Sequence, residues 1–170
     1  HIPQMVPKIV SAAIKSGIAA QDVQILAPMY RGQAGINNLN TIMQDLLNPQ
    51  EKANQFAFND IFFRKNDKIL HLVNDTELNV FNGDIGIITD LIPGKYTESK
   101  QDEIYMSFDG NEVIYPRNEW SKITLAYAMS IHKSQGSEFP VVILPITRQS
   151  GRMLQRNLIY TAIKSEAKRS

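Results

Sequence analysis

The chain has no cysteine among its 170 residues, so disulfides and thiolate zinc sites are both excluded, and a reducing cytoplasm is the expected setting. No apolar stretch approaches the ~18 residues needed to cross a bilayer as a helix. The opening "HIPQMVPKIV" lacks the charged start and continuous apolar core of a secretory signal. Charge of one sign is also lacking. A formal net charge of +1 gives no overall polyanion signal, so any case for nucleic acid must rest on local placement of basic groups. Catalytic signatures are equally scarce. There is no G-x-x-x-x-G-K-[ST] loop, and "PGKYT" lacks both the first glycine and the hydroxyl after the lysine. Only three histidines occur, His1, His71 and His132, with no H-E-x-x-H pair or carboxylate cluster at ligand spacing, which argues against a metallohydrolase. A G-x-S-x-G elbow is absent too. These residues do not describe an autonomous active site.

What is present divides by period. "PQMVPKIVSAAIKSG" places Met5, Ile9, Ala12 or Ala13 and Ile14 near helical spacing, with Gly17 as the stop. "DVQILAP", Asp22 to Pro28, is short and apolar and suits a buried strand. In "MYRGQAGINNLNTIMQDLLNP", Ile36, Leu39, Met43 and Leu46 follow a helix face that Asn48 and Pro49 end. Strand, polar loop and helix in that order put Tyr30, Arg31 and Gly32 at the carboxyl edge of a strand, where open α/β sheets hold ligands. From about Arg64 the period becomes two, with turn signals at Asn82-Gly83 and Asp109-Gly110. About five short strands are expected there, and the polar stretch Pro93 to Glu103 reads as an exposed hairpin tip. Phe62 and Phe63 are read as core. The α/β pattern resumes near Trp120, and "FPVVILPI" is its second buried-strand candidate. One compact domain with an elaboration is the default for this length, although two small units would fit. In "RQSGRMLQRNLIYTAI", Leu154, Leu158 and Ala162 predict a helix on which Arg148, Arg152 and Arg156 share one face, more simply a solvated face than a polyanion track. The ending "AIKSEAKRS" has no obvious cap or closing strand, which suggests a piece of a longer polypeptide.

The segment "SIHKSQGSEFPVVILP", Ser130 to Pro145, sets polar side chains beside a core strand. It resembles motif V of superfamily 1 helicases in the form found in the RecD-like branch, the exodeoxyribonuclease V α-subunit family. "LAPMYRGQAGINNLN", Leu26 to Asn40, resembles the motif IV of that branch, and "RNLIYTAI", Arg156 to Ile163, the opening of motif VI. "DKILHLVNDTELNVFNGDIGII" is similar to the SH3-like insert of the same proteins. The fold class this implies is α/β: a partial second RecA-like motor domain, 1–63 and 117–170, interrupted by a small SH3-like β-barrel, 64–116.

The resemblance implies half of a motor. The Walker motifs would belong to a first RecA-like domain outside this sequence, and with it the chief contacts to ATP and Mg2+; the piece alone is expected to hold no cofactor or metal and to be inactive. The whole would be an ATP-dependent 5′ to 3′ DNA helicase of repair or recombination, cytoplasmic, engaging single-stranded DNA and possible RecB- and RecC-type subunits. By resemblance, Arg31 would reach the γ-phosphate as the catalytic arginine, Gln135, Gly136 and Glu138 would face nucleotide or the interdomain cleft, and Ser130, His132 and Lys133 would face the strand. Taken alone, Arg31 reads as a surface salt bridge, His132 as a structural histidine, and Lys133 equally as a solvated lysine. Tyr30 is either core or a stacking platform, and Asn37 and Asn40 read as helix-start and helix-surface residues. In the insert, Arg64, Lys65, Lys68, Asn74, Asn82 and Asp84 are candidate strand contacts, with hairpin geometry an equal account of Asn82, Gly83 and Asp84. Motif VI departs from the pattern, because Lys164 and Ser165 follow Ile163 where relatives have threonine and an arginine finger. Either the arginine has been lost at an altered chain end, or Lys164, Lys168 or Arg169 substitutes poorly, a lysine because it lacks the planar fork. Two rivals remain: a nucleic-acid or protein-binding module with vestigial motifs, and the helicase part of a TraI-like relaxase.

Overall fold

The structure, a computed structural model, describes residues 2–27, 32–51, 54–145 and 157–161. In chain order the elements are α1 (Ile2–Lys15), β1 (Val23–Ala27), α2 (Gly32–Leu47), β2 (Gln55–Phe58), β3 (Ile61–Arg64), β4 (Lys68–His71) and β5 (Ile85–Ile92). They continue with β6 (Glu103–Phe108), β7 (Asn111–Pro116), β8 (Ile123–Leu125), β9 (Ala128–Ser130), β10 (Val141–Pro145) and β11 (Asn157–Thr161). Two compact units result, one from 1–47 with 127–170 and the other from 48–126.

In the first unit, α1 buries Val6, Val10 and Ala13. This stripe lies one position beyond the expected Met5 and Ile9, which flank it half-buried, and Ala12 is exposed. Gly17 ends the helix as expected. At φ +102° it lets its own N–H reach Ile14 O and the Ile18 N–H reach Ala13 O, satisfying carbonyls the helix leaves open. On α2, Ile36, Leu39 and Met43 are buried, but Leu46 is 37% exposed; Asn40 and Gln44 complete the buried stripe instead. The sheet runs β11-β10-β1-β9, with β10, β1 and β9 parallel and β11 antiparallel to β10. The helix expected over 148–163 is corrected where it is described: Asn157–Thr161 is a strand, laddered to β10 from Val141↔Thr161 to Pro145↔Asn157. Ile159, Tyr160 and Thr161 are strand-favouring residue types, and the partner strand overrides the four-residue spacing of the leucines. Arg148, Arg152 and Arg156 lie outside the described residues.

The second unit has a β2–β3 hairpin and an antiparallel sheet of order β7-β6-β5-β4-β8. Ile104, Met106 and Phe108 of β6 alternate inward with Val113 and Tyr115 of β7. Two residues, Asp109 and Gly110, join them with positive φ at both, the turn the sequence signals. No β7–β8 ladder closes this sheet among the described residues. By contacts the unit extends beyond the expected 64–116 on both sides. The cause is aromatic: Trp120 is fully buried, stacked on Phe56 at 5.6 Å with Phe58 and Phe63 edge-on, which ties the hairpin and the segment after β7 to one core. Phe62, expected in the core, points the other way along β3 and is 43% exposed. Among the described residues no helix is long and apolar enough to cross a membrane.

Candidate functional site

Because β1 and β9 are parallel neighbours, with Ala27 opposite Ser130, the chain leaves both strands at the same sheet edge. Ala27 and Ser130, about 100 residues apart in sequence, are thus adjacent strand ends; 131–138 follow the second, while 28–31, which follow the first, lie outside the described residues. Tyr30 and Arg31 lie outside the described residues, as do Ile163, Lys164, Ser165, Lys168 and Arg169.

After β9 the chain coils through residues 131–136. Ser134 N donates to Ser130 O and Ile131 O, and Gln135 N to His132 O. Ser130 starts this turn in the manner of a helix cap, its Oγ accepting from Lys133 N at 3.2 Å. Ser130 is buried, at 6% exposure, and this bond makes it a shaper of the loop. His132, Gln135, Gly136 and Glu138 are exposed, and Lys133 is half-buried. Gly136 has φ +88° with open space around it; its backbone conformation, rather than crowding, calls for glycine. Phe139, 8% exposed, returns the chain to the core before β10. The turn thus displays an imidazole, an amide and a carboxylate at the sheet edge, held by backbone bonds at one end and an aromatic anchor at the other.

What holds β9 itself was not legible as function. Asn40 is 2% exposed, not a helix-surface residue, and its amide grips Ala128 twice: Nδ2 donates to Ala128 O at 3.0 Å and Oδ1 accepts from Ala128 N at 2.8 Å. Gln24, fully buried, donates from Nε2 to Tyr127 O at 3.1 Å. The available signal was position, since Asn40 lies four residues after Ile36 and three before Met43 on the apolar stripe.

The insert's candidates separate. Arg64 and Lys68, expected to meet DNA, are each 8% exposed. Arg64 donates from Nε to Gln55 Oε1 and from Nη1 to Asn48 O; it braces the hairpin, and a phosphate would have to displace those bonds. Lys68 is buried along β4. Lys65 is exposed. Asn74 Oδ1 accepts from Asn82 N and Asp84 Oδ2 from Phe81 N, so these polar groups shape the turn. Among the described residues no group of His, Asp and Glu could hold a metal ion.

A polar chain crosses this unit's interior. His71, fully buried, lies with Nδ1 2.6 Å from Val73 O and Nε2 2.7 Å from Tyr115 Oη. Val73 O can only accept, so Nδ1 carries the ring proton. Tyr115 Oη, also 2.8 Å from Asp75 Oδ2, has one proton for that carboxylate and for Nε2, and Lys122 Nζ approaches the same carboxylate oxygen to 3.2 Å. Burial lowers the His71 pKa, against the opposing pull of Val73 O, Asp75 and Asp84 and with a smaller push from Lys122. The Tyr115 hydrogen bond, with Lys122, lowers that of Asp75. Burial and then Asp75 raise that of Tyr115, while Glu119 and Asp75 raise that of Lys122.

The signs define a window. A histidine kept neutral contributes stability fully above its ordinary 6.5, lost as pH falls through the lowered value; Asp75 adds a loss below 3.8. Tyr115 and Lys122 contribute below their ordinary 10.0 and 10.5, and that contribution is lost as pH rises through their raised values. The urea midpoint of this unit is therefore expected to be highest between about pH 7 and 10 and to decline toward pH 5. His71→Gln should flatten the acid limb. A parent midpoint unchanged from pH 8 to 5 contradicts the assignment.

With this geometry in view, residues 39–108 match the ATP-dependent RecD-like DNA helicase SH3 domain, and residues 125–163 match the UvrD-like helicase C-terminal domain. The ATP-dependent RecD2 DNA helicase of Deinococcus radiodurans is 33% identical over 141 residues, 83% of this chain and 18% of that protein. The chain belongs to the RecD-like superfamily 1 helicases. The RecBCD enzyme subunit RecD of Buchnera aphidicola subsp. Schizaphis graminum is 27% identical over 144 residues, 82% of this RecD-like chain and 23% of that protein. The chain thus spans about a fifth of the length of these relatives. A solved structure concerning DNA unwinding at forked dsDNA by two coordinating Pif1 helicases shares the fold, with a TM-score of 0.52 and 19% identity over 75% of this chain and 33% of that one.

Proposed function

We propose that this RecD-like chain is a C-terminal part of an ATP-dependent DNA helicase that moves 5′ to 3′ on single-stranded DNA, contributing motifs IV, V and the start of VI on a partial RecA-like domain with an SH3-like insert. The observation that carries the reading is the shared edge of β1 and β9, from which the motif IV and motif V segments both leave. In the whole protein, Arg31 reaches toward the γ-phosphate, and Gln135, Gly136 and Glu138 line the nucleotide side. His132 and Lys133 meet the strand's phosphates, contacts that hold backbone without reading bases. Ser130 keeps the turn in shape beneath them. ATP, with Mg2+ held mainly by the first motor domain, supplies the phosphoryl chemistry, and RecB- or RecC-type subunits are candidate partners.

The test uses the full-length protein. Its ATP turnover should rise with single-stranded DNA, and His132→Ala should weaken strand affinity by about tenfold, the worth of one charge-assisted hydrogen bond of roughly 1.4 kcal/mol. Turnover indifferent to DNA in a folded protein refutes the reading.

A further inference from the structure

Asn40 makes a connection that neither strand pairing nor helix packing requires. In the β1–β9 ladder, Ile25 N donates to Tyr127 O and Ile131 N to Ala27 O. Backbone groups alternate along a strand, so the N–H and C=O of Ala128 face away from β1, toward the edge that β9 forms in the described sheet. No further strand pairs there among the described residues. The Asn40 amide, from the middle of α2, takes the place of one, bonding both groups of Ala128 at 3.0 and 2.8 Å. An amide is suited to this because it carries a donor and an acceptor side by side in one plane.

The consequence concerns the two ends of what is joined. α2 begins at Gly32, one residue after Arg31, and β9 ends at Ser130, which starts the exposed turn with His132. A rigid two-point bridge makes α2 and β9 shift together: displacing one against the other would leave two buried backbone groups unpaired. We propose that Asn40 is a positioning residue that couples the nucleotide-facing end of α2 to the strand-facing turn after β9, so that occupancy of one is felt at the other. This rests on the functional reading above, in which Arg31 serves nucleotide and His132 serves DNA. Asn40 touches neither ligand and acts only through Ala128.

Asn40→Asp in the full-length protein gives the test a pH signature. Ionised, the new carboxylate faces Ala128 O with no proton to donate; protonated, it restores both bonds in nearly the amide's shape. Burial beside a carbonyl raises its pKa. The readout is the ratio of ATP turnover with and without single-stranded DNA, measured well below the unfolding temperature at about pH 8 and about pH 6. In the variant this ratio should fall roughly tenfold against the parent at the higher pH, within the usual range of coupling between sites, and largely recover at the lower. Asn40→Ser, which leaves room for water on the Ala128 groups, keeps the test open if the carboxylate prevents folding; it should lose the ratio at both pH values. A folded variant, of either kind, whose ratio stays within about twofold of the parent at the higher pH overturns the coupling. So does a loss confined to melting temperature. A parent whose turnover ignores DNA overturns the functional reading and the coupling with it, so the two failures are distinguishable.

Discussion

In the full-length protein, Arg31→Ala is expected to cut ATP turnover by about 10³-fold or more, the effect of removing an arginine that stabilises charge on a transferring phosphoryl group. In sequence Arg31 falls between β1 and α2, outside the described residues. A guanidinium offers a planar fork of donors on a charge that persists at any physiological pH, and it can meet two phosphate oxygens at once. Arg31→Lys should therefore restore little. The loss should fall on the rate at saturating ATP more than on the ATP concentration for half-saturation, because charge develops at that site only as the reaction proceeds. A folded Arg31→Ala protein turning over within about threefold of the parent would remove Arg31 from the mechanism.

The second large effect is on stability. Trp120→Ala should destabilise the second unit by about 3 to 5 kcal/mol. The indole is fully buried against Phe56, Phe58 and Phe63, is covered by the Arg117 guanidinium 4.4 Å from its ring, and donates from Nε1 to Tyr115 O at 2.9 Å. Truncation opens a cavity among three phenylalanines and strands a buried carbonyl. A unit of roughly eighty residues has about 4 to 12 kcal/mol of stability to lose, so the variant stands near the folding threshold. Hydrogen exchange at the β5 and β6 amides measures this without the tryptophan signal; protection equal to the parent's would contradict the assigned core. Trp120→Phe, which fills much of the space but cannot donate, should fall between the two.

Local patterns were legible in the sequence wherever a single segment settles its own state. Gly17 stops α1 because the left-handed backbone it needs is a property of one residue, and Asp109-Gly110 makes a hairpin for the same reason. The alternation of β1 and α2 about a short link followed from the order strand, loop, helix. Asn157–Thr161 was misread because Leu154, Leu158 and Ala162 imitate a helical stripe, and only pairing with β10 decides otherwise. Arg64 and Lys68 were candidate strand contacts through the resemblance of the insert, yet the partners that fix Arg64, Asn48 O and Gln55, come from a preceding loop and strand. Asn40 failed in the opposite sense: its place on the stripe marked it as buried, but its polarity suggested the surface, and nothing near it in sequence announces Ala128. Burial of Ser130 was hidden likewise, since its cap on Lys133 depends on a turn that forms only after β9 is docked.

The central strand β1 pairs on both sides with segments that follow it by more than 100 residues, Ile25 with Ala128 and with Ile143. The second unit is joined mostly by neighbours, β2 to β3, β4 to β5, β5 to β6 and β6 to β7, with β4 to β8 its longer closure. Loop closure makes distant pairings slow to form and near ones quick. On a ribosome the inserted unit can therefore mature while β1 still waits for both its partners to be synthesised, and the parallel sheet assembles last. The chain's single tryptophan lies in the early-forming part, so its fluorescence reports the first of these events and is silent on the second.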